Sequence, residues 1–238
     1  MSALQINFIA FTFLAPPLLW LLSRSVQSPR LVTQISWTFA ILLFVSYMLA
    51  LALKVHADGR VYWEEILPMQ LCDWAAIVTL LALTRRSPLG FELAYCWGLA
   101  GTIQALFTPA IEVEMEPRAI TFFLVHSIIP ASVFWLMFEC KMRPRPGSFL
   151  RVMLWSELYL GLALLTNWRF DQNYGFLAGR PPNPSLLDYF SDTWWIYVLQ
   201  INATAAIAFV VLLLPWWIVG RMRGKEAAPT PQVPSGSH

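Results

Sequence analysis

Three side chains set inside apolar runs have the types needed for chemistry: Cys72, with Gln70 and Asp73 beside it in the stretch 66–81 (ILPMQLCDWAAIVTLL), then His126 and Glu157. A thiol and an imidazole within hydrogen-bond reach make an acyl-transfer pair. The thiolate attacks an ester carbonyl, the imidazole takes and returns the proton, and amide or hydroxyl donors steady the oxyanion. On this reading Cys72 is the nucleophile and His126 the base. Gln70, Asn167, Asn173 and Tyr174 are candidates to orient the base or hold the oxyanion, and spacing alone does not rank them. Asp73 and Glu157 are costly in hydrocarbon and mark a competing chemistry, the proton path of a transporter or channel. A third reading is a non-catalytic lipid-binding protein, with Cys72 a small buried hydrophobe.

The elements that must position these groups follow from composition. Of 238 residues 58% are hydrophobic and only 13% charged, the balance of a membrane protein rather than a soluble domain. A span needs about 20 mostly apolar residues. That rule predicts an all-α, polytopic helix bundle of about seven spans, at 8–22, 33–53, 67–84, 91–111, 120–138, 149–168 and 193–220. The first is short and carries Pro16 and Pro17, with no Lys or Arg before it, so it reads as a retained helix rather than a signal peptide.

The loops alternate in charge. Arg24 and Arg30, Arg85 and Arg86, Lys141 to Arg151, and Arg221, Arg223 and Lys225 fall in one set; Glu64, Glu65, Glu112, Glu114, Glu116, Asp171, Asp188 and Asp192 fall in the other. Because Lys and Arg are retained on the cytoplasmic side, this predicts an outside N-terminus and a cytoplasmic C-terminus. The small positive charge is therefore topological, and no nucleic-acid partner is expected. The expected location is a bacterial plasma membrane. Residues 1–223 form one expected domain, and the Pro-, Ser- and Ala-rich 224–238 a disordered tail.

Topology converts position into depth. Cys72 and His126 both lie one to two turns inside the outer surface, at ~1.5 Å per residue, and Thr166 and Asn167 reach the same level. Helical phase puts Ala75, Ala76 and Thr79 on the side of Cys72, a small-residue stripe suited to other helices. Cys96 and Cys140 fall toward the cytoplasmic side, too far for a disulfide to Cys72. No metal-ligand spacing and no phosphate-binding glycine loop is present, so no cofactor is expected. The sequon at Asn202 sits inside the last span, out of reach of glycosylation.

Several runs carry a family resemblance: Leu67-Pro68-Met69-Gln70-Leu71-Cys72-Asp73, Phe122-Phe123-Leu124-Val125-His126, Asn173-Tyr174-Gly175-Phe176-Leu177 and Pro184-Ser185-Leu186-Leu187-Asp188. Together they resemble the YwaF-type bacterial multi-pass membrane proteins. That family is similar to eukaryotic transmembrane acyltransferases that remodel ether phospholipids, whose proposed catalytic Cys and His correspond to Cys72 and His126. It is more distantly similar to androgen-induced membrane hydrolases, which use Thr and His on lipid esters. The resemblance implies a membrane lipid or another acyl ester as substrate. Asp73 follows Cys72 where the eukaryotic group has a His, which leaves acyl transfer and hydrolysis both open.

Overall fold

The computed structural model describes the backbone of residues 1–58, 67–111 and 116–226, with side chains described to 55 in the first segment and to 220 in the last. The acids Glu64, Glu65, Glu112 and Glu114 and the tail from 227 onward lie outside the described residues, and so do the side chains of Arg221, Arg223 and Lys225. Everything described is helix, turn or loop.

Helix α1 spans Ala3–Val26, begun by the Ser2 hydroxyl accepting from the Gln5 N–H at 3.2 Å and running unbroken through Pro16 and Pro17. Gln27 closes it in the left-handed region, φ 50°. Helix α2 spans Pro29–Asp58. Its 30 residues rise about 45 Å, more than a bilayer core is thick. Helix α3, Leu71–Arg85, is shorter than its hydropathy suggests, because 67–70 form a bent approach rather than a first turn.

The fourth apolar segment is interrupted. Helix α4 covers Pro88–Trp97, a five-residue π turn covers Gly98–Thr102, and the single turn α5 covers Gln104–Phe107. Two glycines at the break let neighbouring helices approach closely: a Cβ at Gly98 would stand 3.0 Å from Ile129 Cγ2, and one at Gly101 would stand 3.0 Å from Leu71 Cδ2. Helix α6 spans Pro117–Phe138, α7 spans Ser148–Phe170 and α8 spans Trp194–Glu226.

Five of these, α1, α2, α6, α7 and α8, are long and apolar enough to cross a membrane. One of them is central: 72% of the α6 window is buried, against 17–22% for the other four. Helix α6 therefore forms the axis on which α1, α2, α3 and the α4 segment pack. The outer helices turn apolar faces outward, as a chain solvated by lipid does.

Charge sorts the two ends of the bundle. At one end the fully buried Glu92 accepts from Arg145 Nε and Arg151 Nε, each at 2.8 Å, while Arg86 Nη2 and Trp135 Nε1 both donate to the Ser36 hydroxyl at 2.8 and 2.9 Å. At the other end Gln5 Nε2 donates to the Leu106 and Phe107 carbonyls, and Asn183 Nδ2 to those of Pro109 and Ile111.

Candidate functional site

Cys72 stands in the first turn of α3, where the Asp73 N–H is taken up by the Gln70 carbonyl at 3.0 Å. It is a free, half-buried thiol, and Ala75, Ala76 and Thr79 on its side of the helix are all buried. The turn is pinned by Asp73, whose Oδ2 accepts from the Gln70 N–H at 2.9 Å. The carboxyl also meets the Tyr47 hydroxyl from α2.

A second set of ties lowers a loop onto this turn. Gln70 Oε1 accepts from the Gly175 N–H at 3.0 Å, and the Tyr159 hydroxyl on α7 donates to the Met69 carbonyl at 3.1 Å. Asn167 grips the backbone of buried Tyr174 with both ends of its amide, Nδ2 to the carbonyl at 3.0 Å and Oδ1 from the N–H at 2.7 Å. Asn173 is likewise spent on its own loop, donating to the Gly179 carbonyl and accepting from the Ala178 and Gly179 N–H groups. Trp74 fills the space beneath, edge-on to Tyr159 and to Trp97 at 5.6 and 6.3 Å.

Of the four polar candidates, then, Asn167 and Asn173 each have both the oxygen and the NH2 of the amide engaged in shaping the loop 173–179. Gln70 uses its oxygen and keeps its NH2 without a partner among the described residues. Tyr47 and Tyr159 were not singled out by sequence reasoning. The one available cue was a phenol inside an apolar run, which says nothing about where the hydroxyl ends.

His126 is buried on α6. Its ring stacks on Phe122 at 4.1 Å, and Nδ1 lies 2.7 Å from the Phe122 carbonyl. A carbonyl accepts only, so Nδ1 carries the proton and Nε2 the lone pair. Ile129 and Val133, at three and seven residues beyond, share that face and rest on Gly98. His126 is one turn above Ile129, and Gly101, which Leu71 touches, is one turn above Gly98. The helices of Cys72 and His126 thus meet the same π turn at the same level. Among the described residues the sulfur and the imidazole share no hydrogen bond.

The two intramembrane acids have separate surroundings. Asp73 belongs to the Cys72 turn, whereas Glu157 is exposed on α7, its Oε1 accepting from Asn202 Nδ2 of α8 at 2.7 Å. Cys96 is fully buried among α4 neighbours. Burial pushes the Cys140 thiol, beyond the end of α6, above its ordinary range, with the Arg86 charge opposing that shift.

Long apolar helices with outward hydrophobic faces around a buried axial helix define an integral, multi-pass α-helical membrane protein. Residues 1–214 match the TMEM164 family model, and the chain belongs to that family. It is also 27% identical over 157 residues to an uncharacterized protein of Treponema pallidum (strain Nichols), an overlap of 66% of this chain and 63% of that protein. The matched region thus spans less than two thirds of that relative's length. No solved structure matches the chain.

Proposed function

We propose that this protein is a membrane-embedded acyl-transfer enzyme acting on lipid esters, with Cys72 as nucleophile and His126 as base. The observation that carries the reading is the convergence at the π turn. Leu71, next to Cys72, and Ile129, one turn from His126, lie against the same five-residue segment, with the imidazole lone pair on Nε2. Membership of a membrane family and the likeness of the Cys72 and His126 runs to ether-phospholipid acyltransferases supply the substrate class.

The steps balance as follows. The Cys72 proton passes to His126 Nε2 as sulfur bonds to the ester carbonyl carbon. The tetrahedral oxyanion takes hydrogen bonds from the Gln70 NH2 and the Cys72 N–H. The carbon–oxygen ester bond then breaks, and the proton leaves with the alkoxide as the lyso-lipid alcohol. An acceptor hydroxyl attacks the thioester in the second half-reaction and restores the thiol.

The site lies toward the outer leaflet of the host membrane, with the chain crossing about seven times, N-terminus outside, as the loop charges direct. Helix α3 and the broken α4 segment complete the crossings inside the bundle. Among the described residues Asp73 and Glu157 share no hydrogen bond or ion pair, and the proton-path reading has less behind it.

The test is turnover of an acyl-labelled phospholipid, with thiol-reactive lipid labelling, on purified protein in vesicles. Labelling is expected to vanish in Cys72→Ala, and turnover in both Cys72→Ala and His126→Ala. Background labelling stays low because Cys96 is buried and the raised Cys140 pKa leaves little thiolate near neutrality. Full turnover in both variants would overturn the assignment.

A further inference from the structure

Glu157 has no part in the acyl-transfer chemistry and occupies a costly place. It lies nine residues into α7, near the middle of a 23-residue apolar helix, and is exposed beside α8. Carboxyl groups inside a membrane face a bundle interior or a water-filled cavity as a rule. Here the one hydrogen bond to the side chain among the described residues comes from Asn202 on α8. An asparagine amide has two N–H donors and a carboxyl has two acceptor oxygens. Among the described residues the pair therefore leaves one Asn202 N–H and Glu157 Oε2 without a partner.

One turn along the same stripe lies Gly161. It is exposed, and a Cβ there would meet nothing within 4 Å. A glycine inside a helix costs roughly 1 kcal/mol relative to alanine, and what it gives in a membrane is close backbone approach by another helix. Leu154, Leu158, Leu165 and Trp168 frame the stripe, all exposed.

We infer that this face is the interface between two copies of the chain, related by a two-fold axis along the membrane normal. A donor and an acceptor left open on one surface are complementary to themselves under such an axis. The free Asn202 N–H of each copy donates to Glu157 Oε2 of the other, closing a ring of four hydrogen bonds, while Gly161 faces Gly161 across the axis. Lipid tails offer neither donor nor acceptor.

The test uses the full chain in liposomes. Subunits are counted by single-molecule photobleaching across protein-to-lipid ratios, and contacts are mapped by oxidative crosslinking of introduced cysteines. Two-step bleaching is expected, with Leu165→Cys crosslinking between copies and Ile41→Cys, on exposed α2, remaining uncrosslinked. Glu157→Leu and Asn202→Leu should each weaken dimerisation roughly ten-fold, as two membrane hydrogen bonds imply. Glu157→Gln puts an NH2 donor where one of the two acceptor oxygens stood, opposite an Asn202 N–H, and should weaken dimerisation as the leucine variants do. One-step bleaching of the parent at every density, crosslinking at Ile41→Cys rather than Leu165→Cys, or undiminished dimerisation of both leucine variants would overturn the interface. The first outcome would give this face to lipid or to a helix of another protein. None of these readouts depends on lipid turnover.

Discussion

At the residue scale, the site divides into groups that build and a group with a donor to spare. Asn167 and Asn173 build, because both ends of each amide are bound to backbone. Asn167→Ala strands a buried N–H and a buried carbonyl of Tyr174. The expected cost is about 1–3 kcal/mol, read as a lowered unfolding midpoint in detergent. Gln70 is different, since Oε1 holds Gly175 while the NH2 is free to meet an oxyanion. Gln70→Glu separates these functions: it keeps the acceptor for Gly175 and removes the donor. If the amide steadies the oxyanion, kcat falls roughly 100-fold with KM little changed. An unchanged kcat would take Gln70 out of the chemistry. Sequence could nominate all four polar residues because their types are right and their depth is similar. It could not rank them, because ranking depends on where each lone pair and N–H is already spent, which is a property of the folded loop.

At the element scale, the loop over Cys72 depends on one backbone position. Gly175 sits at φ +66°, and a Cβ added there would lie 2.7 Å from the Tyr159 hydroxyl. Gly175→Ala therefore incurs about 1–2 kcal/mol of left-handed strain together with a clash. Unfolding of the single variant should show the sum, and adding Gly175→Ala to Tyr159→Phe, whose own loss of the Met69 hydrogen bond is subtracted by comparison with that variant alone, should cost only the strain. No cost in that background would mean that φ at 175 relaxes freely. The long helices are legible in the sequence because length and apolarity suffice to define them. Even Pro16 and Pro17 leave α1 continuous, as tolerated prolines in lipid do. The broken fourth segment was not legible. Gly98 and Gly101 read as ordinary small residues in an apolar run, and their meaning comes from Ile129 and Leu71 pressing on them from other helices. Nor did hydropathy mark α6 as the axis, since its mean hydropathy of 1.9 lies within the range of the outer helices.

At the scale of the whole molecule, the arrangement of charge argues for a direction in the membrane. The loops that carry Arg24, Arg86, Arg145 and Arg151 collect at one end, and Glu92 offsets only part of that charge, one carboxylate against two guanidinium groups. The opposite end holds Asp171, Asp188 and Asp192, with Arg180 tied to Asp192 at 2.7 Å and to the Leu187 and Phe190 carbonyls. The proposed orientation, with the basic loops on the cytoplasmic side, predicts that the Arg180 loop, and with it the Cys72 turn beneath Gly175, faces the outside. Cysteines introduced at exposed Tyr189 and exposed Pro146 report on the two ends without touching these ties. In intact cells a membrane-impermeant maleimide should label Tyr189→Cys and spare Pro146→Cys until the membrane is opened. The Cys72→Ala chain, with Cys96 buried and the Cys140 thiol raised above its ordinary range by burial, serves as the blank and as the background for both introduced cysteines. The reverse pattern would put Cys72 at the cytoplasmic leaflet. The same pair of groups would then meet inner-leaflet lipids, and the acyl-transfer chemistry would stand while its substrate pool changed.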